Sequence, residues 1–425
     1  MKVLLVNTYD RGGAANACIR LHKGLLQEGM ESNVLLRTAS KNIPFTYVAS
    51  PIDKQVKHSI YKKIKLKATK ILKELKLLKV KPQKTNKFLI NRDARLEMFS
   101  YPNSNFDITE SELYKEADII NLHWVSNFLD YASFFKKNKK PVIWTLHDMN
   151  PFTGGEHYLE DFLGIDESGK PKKRSVTEIE KKEFLKNLKI KKEALQNVSN
   201  LHIVTLCTWM SEEVKKSELF KNYPIHLIPN GLDTTIFKPI DQKYSREVLG
   251  LPQDKKIVLF VSDSISNNRK GFVFLKNALE LVKRKDVILC AIGRKNENLK
   301  EDNNIIELGV IHDERLMSVV YNAVDVFVIP SLMDNLPNTA IESLLCGTPV
   351  IGFPKGGITD IIEHGVNGYL TEDISVKSLV IQLNIFLDTS KIFNSVNIRD
   401  NAIKKYSLQV QATSYIKLFN KLVEC

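Results

Sequence analysis

Long apolar runs are missing from this chain of 425 residues. The longest, at residues 256–261 and 324–329, are strand-sized and far short of the ~18 residues that a membrane-spanning helix needs. The apolar stretch at residues 3–6 runs straight into Asn7, Thr8 and Asp10, too short for the hydrophobic region of a signal peptide. Cysteine is sparse as well. Cys18, Cys207, Cys290, Cys346 and Cys425 lie far apart, with no CxxC pair and no Cys/His ligand spacing. That pattern fits reduced, buried thiols in a cytoplasmic protein and speaks against a disulfide framework or a structural zinc. Acidic residues are nearly missing from one segment only: residues 54–87 carry thirteen lysines and a single acid, Glu74. The formal net charge of the whole chain is +13, so the remainder is close to neutral. A general nucleic-acid binder would spread its cations more widely; a near-neutral enzyme with one cationic element fits better.

Within that segment Ile60, Ile64, Ala68, Ile71, Leu75 and Leu78 recur at helical spacing. The pattern predicts an amphipathic helix over about 54–80 with lysines on its other faces. Such a helix suits an anionic membrane surface, or it packs its stripe on its own domain; both readings stay open. The rest of the chain alternates strands with helices. Strands are predicted at 2–6, 33–37, 118–122, 141–145, 201–205 and 225–228. A second series follows at 257–261, 287–292, 305–308, 326–329 and 350–353, with helices near 272–285, 313–323 and 339–345. Near-continuous apolar strands separated by helices mean parallel sheets covered on both faces. The expected fold class is therefore α/β, with two Rossmann-like domains, residues 1–235 and 236–407, whose parallel sheets face each other across a cleft. A C-terminal helix at about 408–425 is expected to pack back on the first domain, and the basic stretch 170–174 to be loop.

Ligands of open parallel sheets sit at the carboxyl ends of the strands, and four loops there stand out. Gly12 and Gly13 join the first strand to its helix and let a substrate or phosphate approach the helix amides. The full GxGxxG pattern is missing and no acid closes the second strand, so a dinucleotide oxidoreductase is not indicated. After the strand at 141–145 come three ionisable groups placed to line a cleft, His147, Asp148 and His157, with His123 and Trp124 after the preceding strand. Their spacing matches no metal-ligand pattern. Arg269 and Lys270, just before Gly271, offer one forked and one compact cation where a pyrophosphate would sit. The fourth loop carries most information. A strand ends at Pro330, a helix opens around 337–339 and stops at Gly347. The amides of Asn338 and Thr339 at that helix start suit a diphosphate. Glu342, one turn inside, is placed to accept hydrogen bonds from a ribose diol, and Asp334 on the loop to hold sugar hydroxyls.

These residues closely resemble the nucleotide-sugar site of retaining GT-B glycosyltransferases of family 4 (group 1). That site carries an acidic residue eight positions before a Glu, here Asp334 and Glu342, then Cys346-Gly347-Thr348-Pro349-Val350 and Gly356-Gly357. The resemblance extends over nearly the whole chain through Gly12-Gly13, residues 228–233, Phe237-Lys238-Pro239 and Arg269-Lys270-Gly271. Residues 144–158 look like the subgroup that builds bacterial surface polysaccharides, including enzymes of the colanic acid type. The resemblance implies a hexosyltransferase that needs neither metal nor cofactor. It would use a nucleoside-diphosphate sugar and a saccharide acceptor, typically lipid-linked, at the inner face of the cytoplasmic membrane, with no nucleic-acid partner. Lys270, Arg269 and the helix start would neutralise the departing diphosphate. Asp334 would position the sugar, with His147 reaching it from the opposite domain. Gly12, Gly13, Asn335, Leu336, Asn338, Thr339 and Glu342 would bind the donor, and His123, Asp148 and His157 would face the acceptor. A nucleotide-sugar epimerase, a sugar phosphorylase or a non-catalytic sugar-nucleotide-binding assembly protein are the alternatives on the same residues.

The chain departs from the family pattern at four places. Asp334 stands where Glu is usual, one methylene shorter. Asn335-Leu336-Pro337 replaces a Gly-Phe-Gly turn, and Pro337 supplies no amide donor. Ile265 occupies the place of an arginine five residues before the catalytic lysine, leaving Arg269 as the expected substitute. Glu156 stands where the subgroup often has cysteine, and the cysteine cluster that follows there is missing.

Overall fold

The structure is a computed structural model that describes residues 1–52, 87–93, 95–160, 162–294, 304–389 and 393–423. The amphipathic helix expected over about 54–80 lies outside the described residues. The first half contains β1 (Lys2–Asn7), β2 (Glu31–Leu36), β3 (Thr46–Val48), β4 (Ile119–Leu122) and β5 (Val142–Thr145). These are followed by β6 (Phe162–Ile165), β7 (Pro171–Lys173), β8 (Leu201–Thr205) and β9 (Ile225–Leu227). The second half contains β10 (Lys256–Ser264), β11 (Val287–Arg294), β12 (Ile305–Gly309), β13 (Val326–Ile329), β14 (Val350–Gly352) and β15 (Gly368–Leu370).

Among the described residues these strands form two parallel sheets, ordered β3-β2-β1-β4-β5-β8-β9 and β12-β11-β10-β13-β14-β15. The cause is visible in the strands themselves. Val3 to Val6 of β1 and Ile257 to Phe260 of β10 are buried on both faces, as an apolar run between two helical layers must be. One expectation needs correction. Residues 170–174 are not all loop: β7 pairs antiparallel with β6, Ile165 opposite Pro171, closed by Gly169 in the left-handed region. The edge strands β3 and β15 and the hairpin strand β6 went unpredicted. β3 and β15 are three residues long, too short for a periodicity to read.

One core cluster runs through both halves, holding Leu4, Trp144 and Phe220 together with Ile257, Phe327 and Leu344. Burying each side chain of this size contributes roughly 1.5–3 kcal/mol. The outer face of the first sheet is covered by helix Gly13–Gln27 and by helix Leu408–Val423, which contributes Tyr415 and Phe419 to a cluster with Leu5, Leu25 and Val34. The Tyr415 hydroxyl also lies 2.7 Å from the Thr145 hydroxyl at the end of β5. The chain thus crosses between the sheets twice. The two passes touch, Leu232 N–H donating to Tyr406 O at 2.8 Å and Leu408 N–H to Leu232 O at 3.1 Å.

Candidate active site

In each sheet the strand order reverses at one place, between β1 and β4 and between β10 and β13. Loops leaving such neighbours diverge and open a crevice. After β10, the Asn267 side chain accepts from Arg269 N–H at 3.0 Å and caps a single turn, Asn268–Lys270. Gly271 follows with φ 72°, and a Cβ there would lie 1.8 Å from the Pro330 carbonyl at the end of β13. Only glycine allows the two loops to come this close. The approach brings Lys270 Nζ to 2.6 Å from Asp334 Oδ2. Gly356 and Gly357 pack from the other side, and Gly357 N–H donates to Asp334 O at 3.0 Å. Burial pushes the Asp334 carboxyl up, but Lys270 and then Arg269 outweigh it and hold the group below its ordinary range.

Arg269 is engaged at two of its three guanidinium nitrogens. Its Nε donates to Glu97 Oε1 at 2.6 Å, its Nη1 donates to Met333 O at 2.7 Å, and Asp334 Oδ1 lies 3.5 Å away. The guanidinium sits 4.5 Å over the Tyr158 ring. Glu97 and Met333 therefore hold Nε and Nη1, and Nη2 is the guanidinium nitrogen left without a hydrogen-bond partner among the described residues. Lys270 is the more open cation, its side chain 23% exposed against 12% for Arg269.

The helix Asn338–Leu345 begins after Pro337 with no side-chain cap, so its first amides point outward as orphan donors. The Asn338 side chain donates to Gly13 O at 3.2 Å and accepts from Asn230 at 2.9 Å. That contact sets the Gly12–Gly13 loop directly opposite the helix start, with Thr339 half-buried beside it. The Asn335 side chain is a strut between the halves. It donates to Leu146 O at 2.8 Å and accepts from Cys207 Sγ at 3.2 Å, so only its backbone remains for a donor, while Leu336 is buried. Glu342 is 7% exposed and both its oxygens are taken, Oε1 by Arg20 Nη2 at 2.7 Å and Oε2 by the Tyr321 hydroxyl at 3.0 Å. Arg20 also reaches Glu314 at 2.8 Å. The sequence missed Arg20, although a signal existed: a cation between Ile19 and Leu21 on the apolar face of a helix is rarely buried without a partner.

Across the cleft, His147 Nε2 lies 2.9 Å from His123 Nδ1 with the rings stacked at 5.2 Å. Burial pushes His147 down to about 4 and His123 well below its ordinary value, so both are neutral at pH 7 and share one N–H. His123 Nε2 is buried with no partner among the described residues. Both rings line a cavity of about 10 Å³ with Tyr101 and Asn150, room for one water. Asp148 and His157, expected to face an acceptor, instead satisfy each other. Asp148 Oδ2 accepts from His157 Nδ1 at 2.6 Å and from Trp124 Nε1 at 2.7 Å, while Oδ1 accepts from Asn150 N–H at 2.9 Å. His157 Nε2 is 2.9 Å from Ser100 Oγ. The Ser100–His157–Asp148 chain has the order of a hydrolytic triad, but Ser100 is only 1% exposed and meets no substrate. Its consequence is to pin the Trp124 indole at the end of β4. Glu156 joins Arg92, Arg174 and Glu180 in a buried ion cluster, with contacts of 2.7, 3.4 and, between Arg92 and Glu180, 2.9 Å. Among the described residues no group of three or more His, Cys, Asp or Glu side chains is arranged to hold a metal ion.

Two parallel α/β sheets facing one another define a GT-B architecture. An uncapped helix start with its cation lies on one side of the cleft, and a glycine loop with two histidines on the other. Residues 255–388, which include Lys270, Asp334 and Glu342, match the family model described as Glycosyl transferases group 1. D-inositol 3-phosphate glycosyltransferases of Thermobispora bispora and Mycolicibacterium smegmatis are 26% identical over 181 residues and 30% identical over 161. These matches cover 39% and 35% of this chain and 42% and 36% of the relatives. The chain thus spans about two fifths of the length of the curated relatives it matches. Sucrose-phosphate synthase from Thermosynechococcus elongatus has the same fold over 100% of this chain and 99% of its own, with TM-score 0.68 and 16% identity. Anabaena HepE in complex with UDP and glucose covers 99% of each chain at TM-score 0.65 and 16% identity. WaaG, a glycosyltransferase involved in lipopolysaccharide biosynthesis, covers 98% of this chain and 99% of its own at 0.60 and 14%. The fold of this chain is GT-B.

Proposed function

We propose that this protein is a glycosyltransferase that moves a hexose, with retention of configuration, from a nucleoside-diphosphate sugar to a saccharide acceptor. The observation that carries the reading is the Lys270–Asp334 pair, at 2.6 Å, beside the uncapped start of helix Asn338–Leu345 at the switch point of the second sheet. As the bond from the anomeric carbon to the diphosphate breaks, negative charge gathers on the departing phosphate oxygens. Lys270 Nζ and the helix amides stand ready to meet that charge without reorganising, which is electrostatic catalysis of the leaving group. Asp334 aims Lys270 and helps to seat the sugar, and His147 approaches from the first half as a neutral hydrogen-bonding group. The match of residues 255–388 to the group 1 family model supports the same reaction class. UDP-glucose is the first donor to try, because HepE is similar in fold and binds it. The test is a thermal-shift and mass-spectrometric screen against UDP-, GDP-, dTDP- and ADP-sugars with EDTA present. One nucleotide series is expected to raise Tm and to support transfer. No response to any nucleotide sugar would sink the reading, and a strict requirement for added Mn²⁺ would overturn its metal-independent form.

The acceptor is proposed to be a lipid-linked saccharide of surface-polysaccharide assembly, reached by peripheral attachment to the inner face of the cytoplasmic membrane. Support comes from the thirteen lysines of residues 54–87 and from the likeness of residues 144–158 to polysaccharide-building enzymes. No helix among the described residues is long and apolar enough to cross a membrane. Each lysine near an anionic surface contributes about 1 kcal/mol, screened by salt. Co-sedimentation with anionic vesicles is expected at low salt and is expected to fade at high salt. Binding that ignores lipid charge, or survives replacement of six of these lysines by glutamine, would leave the segment without a membrane role.

A further inference from the structure

Glu97 comes from the first half of the chain, yet its carboxylate lies among donor-site residues of the second. Its Oε1 accepts from Arg269 Nε at 2.6 Å and from Asn267 Nδ2 at 3.1 Å, and its backbone carbonyl accepts from Arg92 Nη2 at 3.2 Å. Each of these holders is itself held: Arg269 by Met333 O and the Tyr158 ring, Asn267 by its own cap on Arg269 N–H. The carboxylate is therefore aimed as well as placed. Burial opposes its charge, but Arg269 outweighs burial and lowers its pKa, so it is ionised at neutral pH. Its side chain is 16% exposed. Oε2 carries no hydrogen bond among the described residues, and it is not sealed off from solvent. Asp334 differs. Its Oδ2 faces Lys270 at 2.6 Å and its Oδ1 faces Arg269 at 3.5 Å, so neither oxygen is without a cation. The site thus holds two fixed carboxylates from opposite sides of the cleft, and the open oxygen belongs to Glu97.

We propose that Glu97 contacts the transferred sugar, its Oε2 accepting hydrogen bonds from sugar hydroxyls, and that it determines specificity for neutral hexoses. The proposal deepens the reading of this cleft as a nucleotide-sugar site and rests on it. An ionised carboxylate accepts from hydroxyls strongly. Asp334 is balanced by Lys270 and Arg269, but Glu97 Oε2 has no cation bonded to it, so a uronic acid donor that sets its own carboxylate against this oxygen is disfavoured by like charge.

The experiment is calorimetric titration of the full chain, wild type and Glu97→Gln, with UDP, UDP-glucose and UDP-glucuronate. GDP, GDP-mannose and GDP-mannuronate are run in parallel. The wild type is expected to bind the neutral sugar nucleotide about tenfold or more tightly than the uronate. Glu97→Gln, which keeps the shape and loses the charge, is expected to weaken the neutral donor about tenfold while the bare nucleotide changes less than about twofold, and to narrow the discrimination against uronate. Asn267→Ser keeps a capping oxygen for Arg269 N–H, removes the Nδ2 tether of Oε1 and leaves the Arg269 pair; it is expected to shift affinity the same way to a smaller extent and serves as the second variant if Glu97→Gln does not fold. Equal losses for nucleotide and nucleotide sugar would overturn the proposal and make Glu97 a mere holder of Arg269. Tighter binding of the bare nucleotide, with sugar discrimination unchanged, would overturn it in favour of a carboxylate that competes with the diphosphate. A wild type that binds no nucleotide in either series fails the underlying site reading, and this inference with it.

Discussion

Replacing Lys270 with alanine is expected to lower kcat about a hundred- to a thousandfold while bare-nucleotide affinity falls by less than about tenfold. The asymmetry follows from where charge appears. In the ground state Lys270 is balanced by Asp334 at 2.6 Å, so part of its field is already used. In the transition state the departing phosphate gains charge beside it, in a crevice with little water, where a fixed cation is worth far more than in solvent. Single-turnover rates with the donor that the screen identifies, set beside nucleotide titrations, give the two numbers. Equal losses in rate and nucleotide affinity would make Lys270 a ground-state anchor. A change in pH dependence is expected as well. Lys270 is the stronger of the two cations holding the Asp334 carboxyl low, so its removal raises that group's pKa. If transfer needs ionised Asp334, the acid limb of the variant's pH–rate profile moves to higher pH than that of the wild type.

Glu342→Ala is expected to cost stability as well as transfer. The reason is structural: Glu342 answers Arg20 and Tyr321 in a buried cluster, and its loss leaves the Tyr321 hydroxyl without its acceptor and Arg20 with Glu314 only. Removing one partner of a buried ion pair costs about 3–5 kcal/mol, and the remaining Glu314 places this case toward the lower end. Urea unfolding should show the shift in midpoint, and donor titration tests the expected ribose contact, which Glu342 would have to make in addition to its bonds from Arg20 and Tyr321. Glu342→Gln keeps an acceptor for Arg20 and is expected to recover part of the stability without recovering donor binding. Near-normal turnover by folded Glu342→Ala protein would remove this residue from the donor site.

Much of the fold was legible because it is local. Val3 to Val6 and Ile257 to Phe260 declare buried parallel strands by composition alone, and Asp334 and Glu342 lie on one loop and the helix it enters. The contacts that join the halves were not legible. Arg269 meets Glu97 across 172 positions and Arg20 meets Glu342 across 322; no spacing pattern names a partner so distant. Asp148 and His157 show the intermediate case. Their place at a strand's carboxyl end was readable, but whether they face the cleft or each other depends on Trp124 and Ser100, which reach them through the fold.

The return of helix Leu408–Val423 to the first sheet has a consequence for how the protein is made. Tyr415 and Phe419 are fully buried against Leu5, Leu25 and Val34, so this hydrophobic layer stays open until its last contributors leave the ribosome. At about 5–20 residues per second, the roughly 210 residues between β8 and Tyr415 take about 10–40 s to translate. Throughout that interval the part of this face that helix Gly13–Gln27 does not cover is exposed to water or to chaperones. The second sheet's core is ready sooner: one cluster, with Phe274, Phe353 and Leu383, draws on no residue beyond 393, and the other reaches no further than Tyr406. The half translated first is therefore the half completed last, and a ribosome that stalls before residue 408 releases a nascent chain with an unsheltered greasy flank.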